Sequence, residues 1–293
     1  MRSSGHESGE REEMSDHQDQ VRQGDPGGGP PRLSLVGIGP GSAEHLSGRA
    51  WEVLAEARVV AGYTPYLDLI RPFLAGKALI ASGMTREMER VSAAVRAARE
   101  QGPCALVCSG DPGIYALAGL VFEVCRAQGI PVSPAGAPPG GPGELTVEVV
   151  PGIPSLCAGA ALLGAPLVHD FASVSLSDRL TPWETIEKRL DAAALADFVI
   201  VIHNPKSKTR TWQLARACEI IARHRPGTTP AGVVRRAMRK NQSVTLCTLE
   251  GLPEADVDME TILFVGNSKT FRHGSFLVTP RGYLEKYGAT DAP

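Results

Sequence analysis

The chain has 293 residues, 43% of them apolar and 21% charged, with a formal net charge of -2. That length and apolar content give an ordinary water-soluble protein room for two separate cores. The near-balanced charge supplies no general field for nucleic acid or an anionic membrane, no stretch approaches the ~20 apolar residues of a membrane span, and the amino terminus does not read as a secretory signal.

Residues 1–31, rich in Gly, Ser, Glu, Asp, Gln and Arg, cannot bury a core and are predicted to be a disordered tail. Leu33 to Ile38 reads as a strand, and Ser47 as the cap of a helix running to about Ala57. Val59-Val60 is a short strand, Arg86 to Arg99 a helix and Ala105 to Cys108 a strand. An apolar, helix-like stretch spans Tyr115 to Val124. The Pro/Gly-rich segment 134–143 reads as an exposed inserted loop. Leu145 to Val150 is a strand and Leu156 to Leu163 a helix of small residues.

After Gly164 the alternation restarts. Strands are predicted at Ala172 to Leu176, Phe198 to Ile202, Gly232 to Val234, Val244 to Cys247, Ile262 to Val265 and Phe276 to Val278. Helices fall near Trp183 to Ala194 and Thr211 to Arg223. Alternation of this kind is the mark of a mostly parallel α/β sheet, and the closely spaced strands after residue 230 point to a mixed sheet. The organisation expected is a tail at 1–31, α/β domains at 32–153 and 154–285, and a short tail at 286–293.

The six cysteines (Cys104, Cys108, Cys125, Cys157, Cys218, Cys247) never form C-x-x-C, and most sit in apolar stretches. They read as buried reduced thiols of a cytosolic protein. The seven histidines show no ligand spacing, so no metal site is expected.

The chemistry concentrates in turns at strand ends. Ser109-Gly110-Asp111-Pro112 follows a run of small apolar residues, at the place where open α/β sheets hold ligands. Glycine lets a ligand approach the backbone, and Asp111 offers acceptors for hydroxyls. Gly37-Ile38-Gly39-Pro40-Gly41 and Pro151-Gly152 have the same layout. The details speak against a dinucleotide fingerprint, because Ser42 occupies the place of the third glycine, Pro40 interrupts the turn and no acidic residue follows Val59-Val60. Three such turns favour a bound small molecule with a sugar. Arg235, Arg236, Arg239 and Lys240 form one basic cluster, and Lys206, Lys208 and Arg210 another. Neither has the interleaved aromatics of a nucleic-acid surface, whereas arginine forks match carboxylates.

Four motifs in order, Val36-Gly-Ile-Gly-Pro-Gly41, Gly110-Asp-Pro-Gly-Ile-Tyr115, Val150-Pro-Gly-Ile-Pro154 and Val265-Gly-Asn-Ser268, resemble the tetrapyrrole methylase family over roughly Leu33 to Arg281. Within it, Ser175-Leu-Ser-Asp178 with Leu180-Thr-Pro-Trp183, His203-Asn-Pro-Lys-Ser207 with Arg210, and Val234-Arg-Arg-Ala-Met-Arg239 are similar to the branch that methylates precorrin-3B in vitamin B12 synthesis. His203 stands where that branch usually has tyrosine, and the 134–143 insertion is atypical.

The resemblance implies two α/β domains with S-adenosyl-L-methionine in the interdomain cleft. It implies donor contacts at Pro40, Ser109, Gly110, Asp111, Ile114, Pro154, Ser155, Asn204 and Ala237. The reaction implied is methyl transfer to carbon 17 of precorrin-3B, with contraction of the ring to give precorrin-4. Arg235 and Arg239 are expected to meet substrate carboxylates. Asp178 is the candidate acid/base group for contraction, with His169-Asp170 a further candidate. A cytoplasmic homodimer is expected, with a small-molecule tetrapyrrole substrate and neither nucleic acid nor membrane as partner. The competing readings are a sibling methylase with another substrate and a nucleotide-binding module without turnover.

Overall fold

In the computed structural model, residues 31–138 and 141–288 are described. The expected tail, apart from Pro31, lies outside them, as do residues 139–140 of the insertion and residues 289–293. The chain forms two compact units that interleave in sequence. One holds the residues up to Gly37, Leu46–Cys108 and Ala116–Pro151; the other holds Ile38–His45, Ser109–Tyr115 and the chain from Gly152 onward.

The first unit alternates β1 (Arg32–Gly37), α1 (Gly48–Glu56), β2 (Val59–Tyr63), α2 (Thr64–Leu69), β3 (Ala78–Ser82), α3 (Glu87–Glu100), β4 (Cys104–Cys108), α4 (Ala118–Ala127), β5 (Val132–Pro134) and β6 (Leu145–Val150). The six strands lie in the order β3-β2-β4-β1-β6-β5, every neighbouring pair parallel. Strands buried on both faces need continuous apolar runs, and Leu33, Leu35, Val36, Ala105, Leu106 and Val107 supply them. As predicted, Ser47 caps α1, its hydroxyl accepting from Ala50 N–H at 3.1 Å. Glu148 ties β6 to β1 and α1: its carboxylate accepts from Arg49 Nε and from Arg32 Nη2, both at 2.7 Å. The bond from Arg49 is the main reason its carboxyl is held below the usual range.

The apolar run predicted as a helix from Tyr115 becomes helical only at Ala118. Tyr115 has a φ of +51°, which belongs to a turn. Three elements of this unit lacked a sequence signal: the short helix α2, the edge strand β3 and the brief β5. Edge strands are only half-buried, so their apolar pattern is weak.

The second unit contains α5 (Ser155–Leu163), β7 (Gly164–Ala165), β8 (Phe171–Ser175), α6 (Trp183–Leu195), β9 (Val199–His203), α7 (Gln213–Ala222), β10 (Pro230–Arg235), β11 (Ser243–Thr248), β12 (Thr261–Val265), β13 (Phe271–His273), β14 (Phe276–Val278) and α8 (Tyr283–Tyr287). Its main sheet has the order β11-β10-β12-β9-β8. Only β8 and β9 pair parallel; the other neighbours are antiparallel, as the mixed-sheet prediction requires. Helices α6 and α7 pack into a core with Leu176, Ile200, Ile202 and Leu263. A separate cluster joins Leu156 and Leu163 of α5 to Val201, Val234, Ile262 and Phe264. Among the described residues no helix is long and apolar enough to cross a membrane.

Candidate active site

Three turns singled out in the sequence come together in the second unit. Gly39 and Gly110 form a two-way bridge: Gly39 N–H donates to Gly110 O at 3.1 Å and Gly110 N–H to Gly39 O at 2.9 Å. Both glycines are left-handed, at φ +56° and +67°. A Cβ on Gly39 would stand 3.1 Å from His45 O, and one on Gly110 would stand 3.4 Å from Pro154 Cα, so side chains are excluded there by strain and by proximity. Asp111 joins the third turn, its Oδ1 accepting from Gly113 N–H at 2.8 Å and its Oδ2 from Gly152 N–H at 3.2 Å. Both carboxylate oxygens are thus engaged with backbone, and each keeps further acceptor capacity.

Arg239 closes the arrangement. Its Nε donates to Pro40 O at 2.6 Å and its Nη2 to Ser109 Oγ at 2.8 Å. Glu260 lies 3.5 Å from the same guanidinium. Pro154 caps α5 with its carbonyl, which accepts from Cys157 N–H and Ala158 N–H, both at 3.0 Å. Ser155 is exposed in the first turn of that helix, and Ile114 is exposed in the 109–115 turn. Ala237 packs against the cluster of α5 and Phe264.

The parallel pair β8–β9 brings a second set of loops to the carboxyl ends of its strands, where Ser175 lies opposite His203. Asn204, left-handed at φ +52°, donates from Nδ2 to Ser175 Oγ at 2.9 Å. The buried Arg210 donates from Nη1 to Leu176 O and to Asn204 O, both at 3.0 Å, and so laces the two loops. Asp178 sits in the loop after β8 and accepts from Gln213 Nε2 at 3.1 Å. His169 and Asp170 precede the other end of β8, so a five-residue strand separates them from Asp178 and Asn204.

Arg235 is bonded by two carboxylates, Asp256 at 3.2 Å and Asp258 at 2.6 Å, and Arg236 by Glu260 at 2.7 Å. The structure therefore spends the basic run 235–239 largely on internal partners. The Val265–Ser268 motif is likewise structural. Ser268 bonds Asp197 through N–H and hydroxyl at 2.9 and 2.6 Å, and Arg225 donates to Gly266 O at 2.5 Å.

One pair escaped sequence reasoning. The Tyr115 hydroxyl donates to Ser173 O at 2.9 Å, and its ring lies 4.8 Å from the ring of His203. His203 is 8% exposed, its Nε2 is buried without a hydrogen-bond partner, and burial pushes its pKa down to about 4. Nothing in a single sequence marks Tyr115 as left-handed, so its placement over His203 could not be foreseen. Among the described residues no group of three or more His, Cys, Asp or Glu is placed to hold a metal ion.

The sequence profile of the Tetrapyrrole (Corrin/Porphyrin) Methylases matches residues 32–253. The chain belongs to the tetrapyrrole methylase family. A relative in Salmonella typhimurium strain LT2, described as a probable cobalt-factor III C(17)-methyltransferase, is 43% identical over 251 residues, covering 86% of this chain and 99% of the relative. The cobalt-factor III methyltransferase of Priestia megaterium is 41% identical over 256 residues, which cover 87% of this chain; this chain spans only 46% of that longer relative. The crystal structure of the methyltransferase CobJ matches with a TM-score of 0.75 at 34% identity, covering 85% of this chain and 99% of that one. The two α/β units of this methylase are therefore the family fold.

Proposed function

We propose that this methylase transfers a methyl group from S-adenosylmethionine to carbon 17 of precorrin-3B or its cobalt-bearing counterpart, with contraction of the ring, in cobalamin synthesis. The observation that carries the reading is the meeting of three glycine turns, two bonded by Arg239 and the third by Asp111, inside a chain whose relatives are named for C(17) methylation. S-adenosylmethionine, when bound, supplies an electrophilic methyl on a sulfonium. A nucleoside with an amino-acid arm needs closely approachable backbone, hydroxyl acceptors and an apolar slot, and Gly39, Gly110, Asp111 and Ile114 offer these. Ser109, Pro154, Ser155, Asn204 and Ala237 complete the donor contacts in this reading, with Pro40 held in place by Arg239.

The receiving carbon of a reduced tetrapyrrole is enamine-like and already nucleophilic. Orientation can then supply much of the rate, and no strong base is demanded for the transfer. Contraction requires a proton to move, and Asp178 is the group assigned to it, fixed by Gln213 and set beside the cationic Arg210. None of the six cysteines is in a disulfide and four are buried, in keeping with a reducing cytosol. The assembly proposed is a homodimer acting on a small molecule.

The test is incubation with labelled S-adenosylmethionine and either a precorrin-3B-generating system or cobalt-factor III, with product mass as readout. A gain of one methyl on either ring is expected and identifies the form used. Binding of S-adenosylhomocysteine with no product from either ring would overturn the reaction assigned and favour a sibling substrate or a module without turnover.

A further inference from the structure

The two basic runs differ in what they have left to offer. In the first, Arg235, Arg236 and Arg239 are all engaged by acidic side chains, and the exposed Lys240 forms no ion pair among the described residues. Among the described residues, no ion pair is formed by Arg179, Lys206 or Lys208, and all three are exposed. They stand on neighbouring loops, because β8 and β9 run parallel with Ser175 opposite His203, and Arg210 bonds both loops at once. Arg179 is close enough to Arg210 for its charge to add to burial, the larger cause, in pulling the Arg210 guanidinium below its ordinary value. Asp178 opposes that pull.

Gathering like charges with so little local compensation costs stability, and the same surface carries apolar groups where water would favour polar ones. Leu180, next to Arg179, is 98% exposed. Met259 is 44% exposed while its sulfur lies 3.2 Å from Arg210 Nη2. Cations around exposed apolar side chains complement a flat apolar body with anionic arms better than they complement water, a phosphate or an acidic peptide.

We propose that Arg179, Lys206 and Lys208 form the rim that docks the carboxylate arms of the tetrapyrrole substrate, with Leu180 and Met259 against the ring. The assignment rests on the proposed function, and it moves substrate recognition from the 235–239 run to the β8 and β9 loops. Lysine suits such a rim, since a point charge on a long flexible stem follows several arms without demanding one geometry.

The experiment compares the wild-type chain with Lys206→Glu/Lys208→Glu, Arg179→Glu and the milder Lys206→Gln/Lys208→Gln. The readouts are KM for the ring, kcat, and calorimetric affinity for S-adenosylhomocysteine. Charge reversal is expected to raise KM about tenfold or more and to flatten its dependence on salt, with S-adenosylhomocysteine affinity within twofold of wild type. The Gln pair should fall between, and Lys206→Arg/Lys208→Arg should restore wild-type KM. A KM unchanged within twofold in the reversal variants, with turnover intact, overturns the rim while leaving the proposed reaction standing. Absence of turnover by the wild type on any tetrapyrrole overturns both.

Discussion

Arg239 and Ser109 are 130 residues apart in sequence, yet Nη2 of the one donates to Oγ of the other at 2.8 Å while Nε holds Pro40 O at 2.6 Å. A fork of this kind fixes two turns relative to each other, which a lysine ammonium cannot reproduce. Arg239→Lys is expected to weaken S-adenosylhomocysteine binding about tenfold in calorimetry, since a charge-assisted bond contributes ~1.5–3 kcal/mol. Unchanged affinity would show that the turns hold without it.

Asp111 spends its two oxygens on Gly113 and Gly152. Asp111→Ala should lower S-adenosylhomocysteine affinity by tenfold or more, because removal frees both turns and strands two amide donors, at ~1–3 kcal/mol each where buried. Asp111→Asn keeps one acceptor but turns an NH2 toward the other amide, so an intermediate loss is expected. Calorimetry on the pair separates a loosened turn from a lost ligand contact: equal losses in both would point to the negative charge itself.

Helix α5 is held close to the sheet through Gly159, where an added Cβ would meet Phe264 Cε2 at 2.8 Å and Ile262 Cγ2 at 3.0 Å. Phe264 is fully buried and has no room to yield. Gly159→Val should cost ~1–3 kcal/mol by overpacking and lower the Tm by several degrees. Since α5 begins at Ser155, its displacement should also raise the Kd for S-adenosylhomocysteine. A destabilised variant with wild-type affinity would uncouple the helix from the site.

His203 gives the protein an acid-sensitive element. Its folded pKa of about 4 lies below the ordinary 6.5, so between those values the unfolded chain binds a proton that the folded chain refuses. Its contribution is complete above pH 6.5 and is lost as pH falls toward 4, at up to about 1.4 kcal/mol per pH unit. Denaturant melts of the wild type and of His203→Phe between pH 7 and pH 4 should diverge, with the variant flatter. Parallel curves would place the acid sensitivity elsewhere.

Most of the scaffold was legible because its signals are local. Runs such as Leu33 to Val36 or Val199 to Ile202 are long and apolar enough to be strands, and Ser47 announced its helix by residue type. The turn glycines were visible for the same reason, since few residues tolerate what Gly39 and Gly110 do. Partner choice was not. Whether Arg235 faces a substrate or Asp256 and Asp258 depends on contacts spanning some twenty residues, and composition is silent on them. The same holds for Tyr115 and His203, brought together by a backbone conformation that tyrosine rarely adopts.

The allocation of Ile38–His45 and Ser109–Tyr115 to the unit that otherwise starts at Gly152 limits how the gene can be divided. A fragment from Gly152 onward would carry Arg239 but neither Pro40 nor Ser109, and the complementary fragment would carry those two without their guanidinium. Neither half-gene product would own the turns at Pro40 and Ser109 together with the guanidinium that bonds them. Only co-expression and reassembly of the two pieces, or the uncut polypeptide, could bring them together.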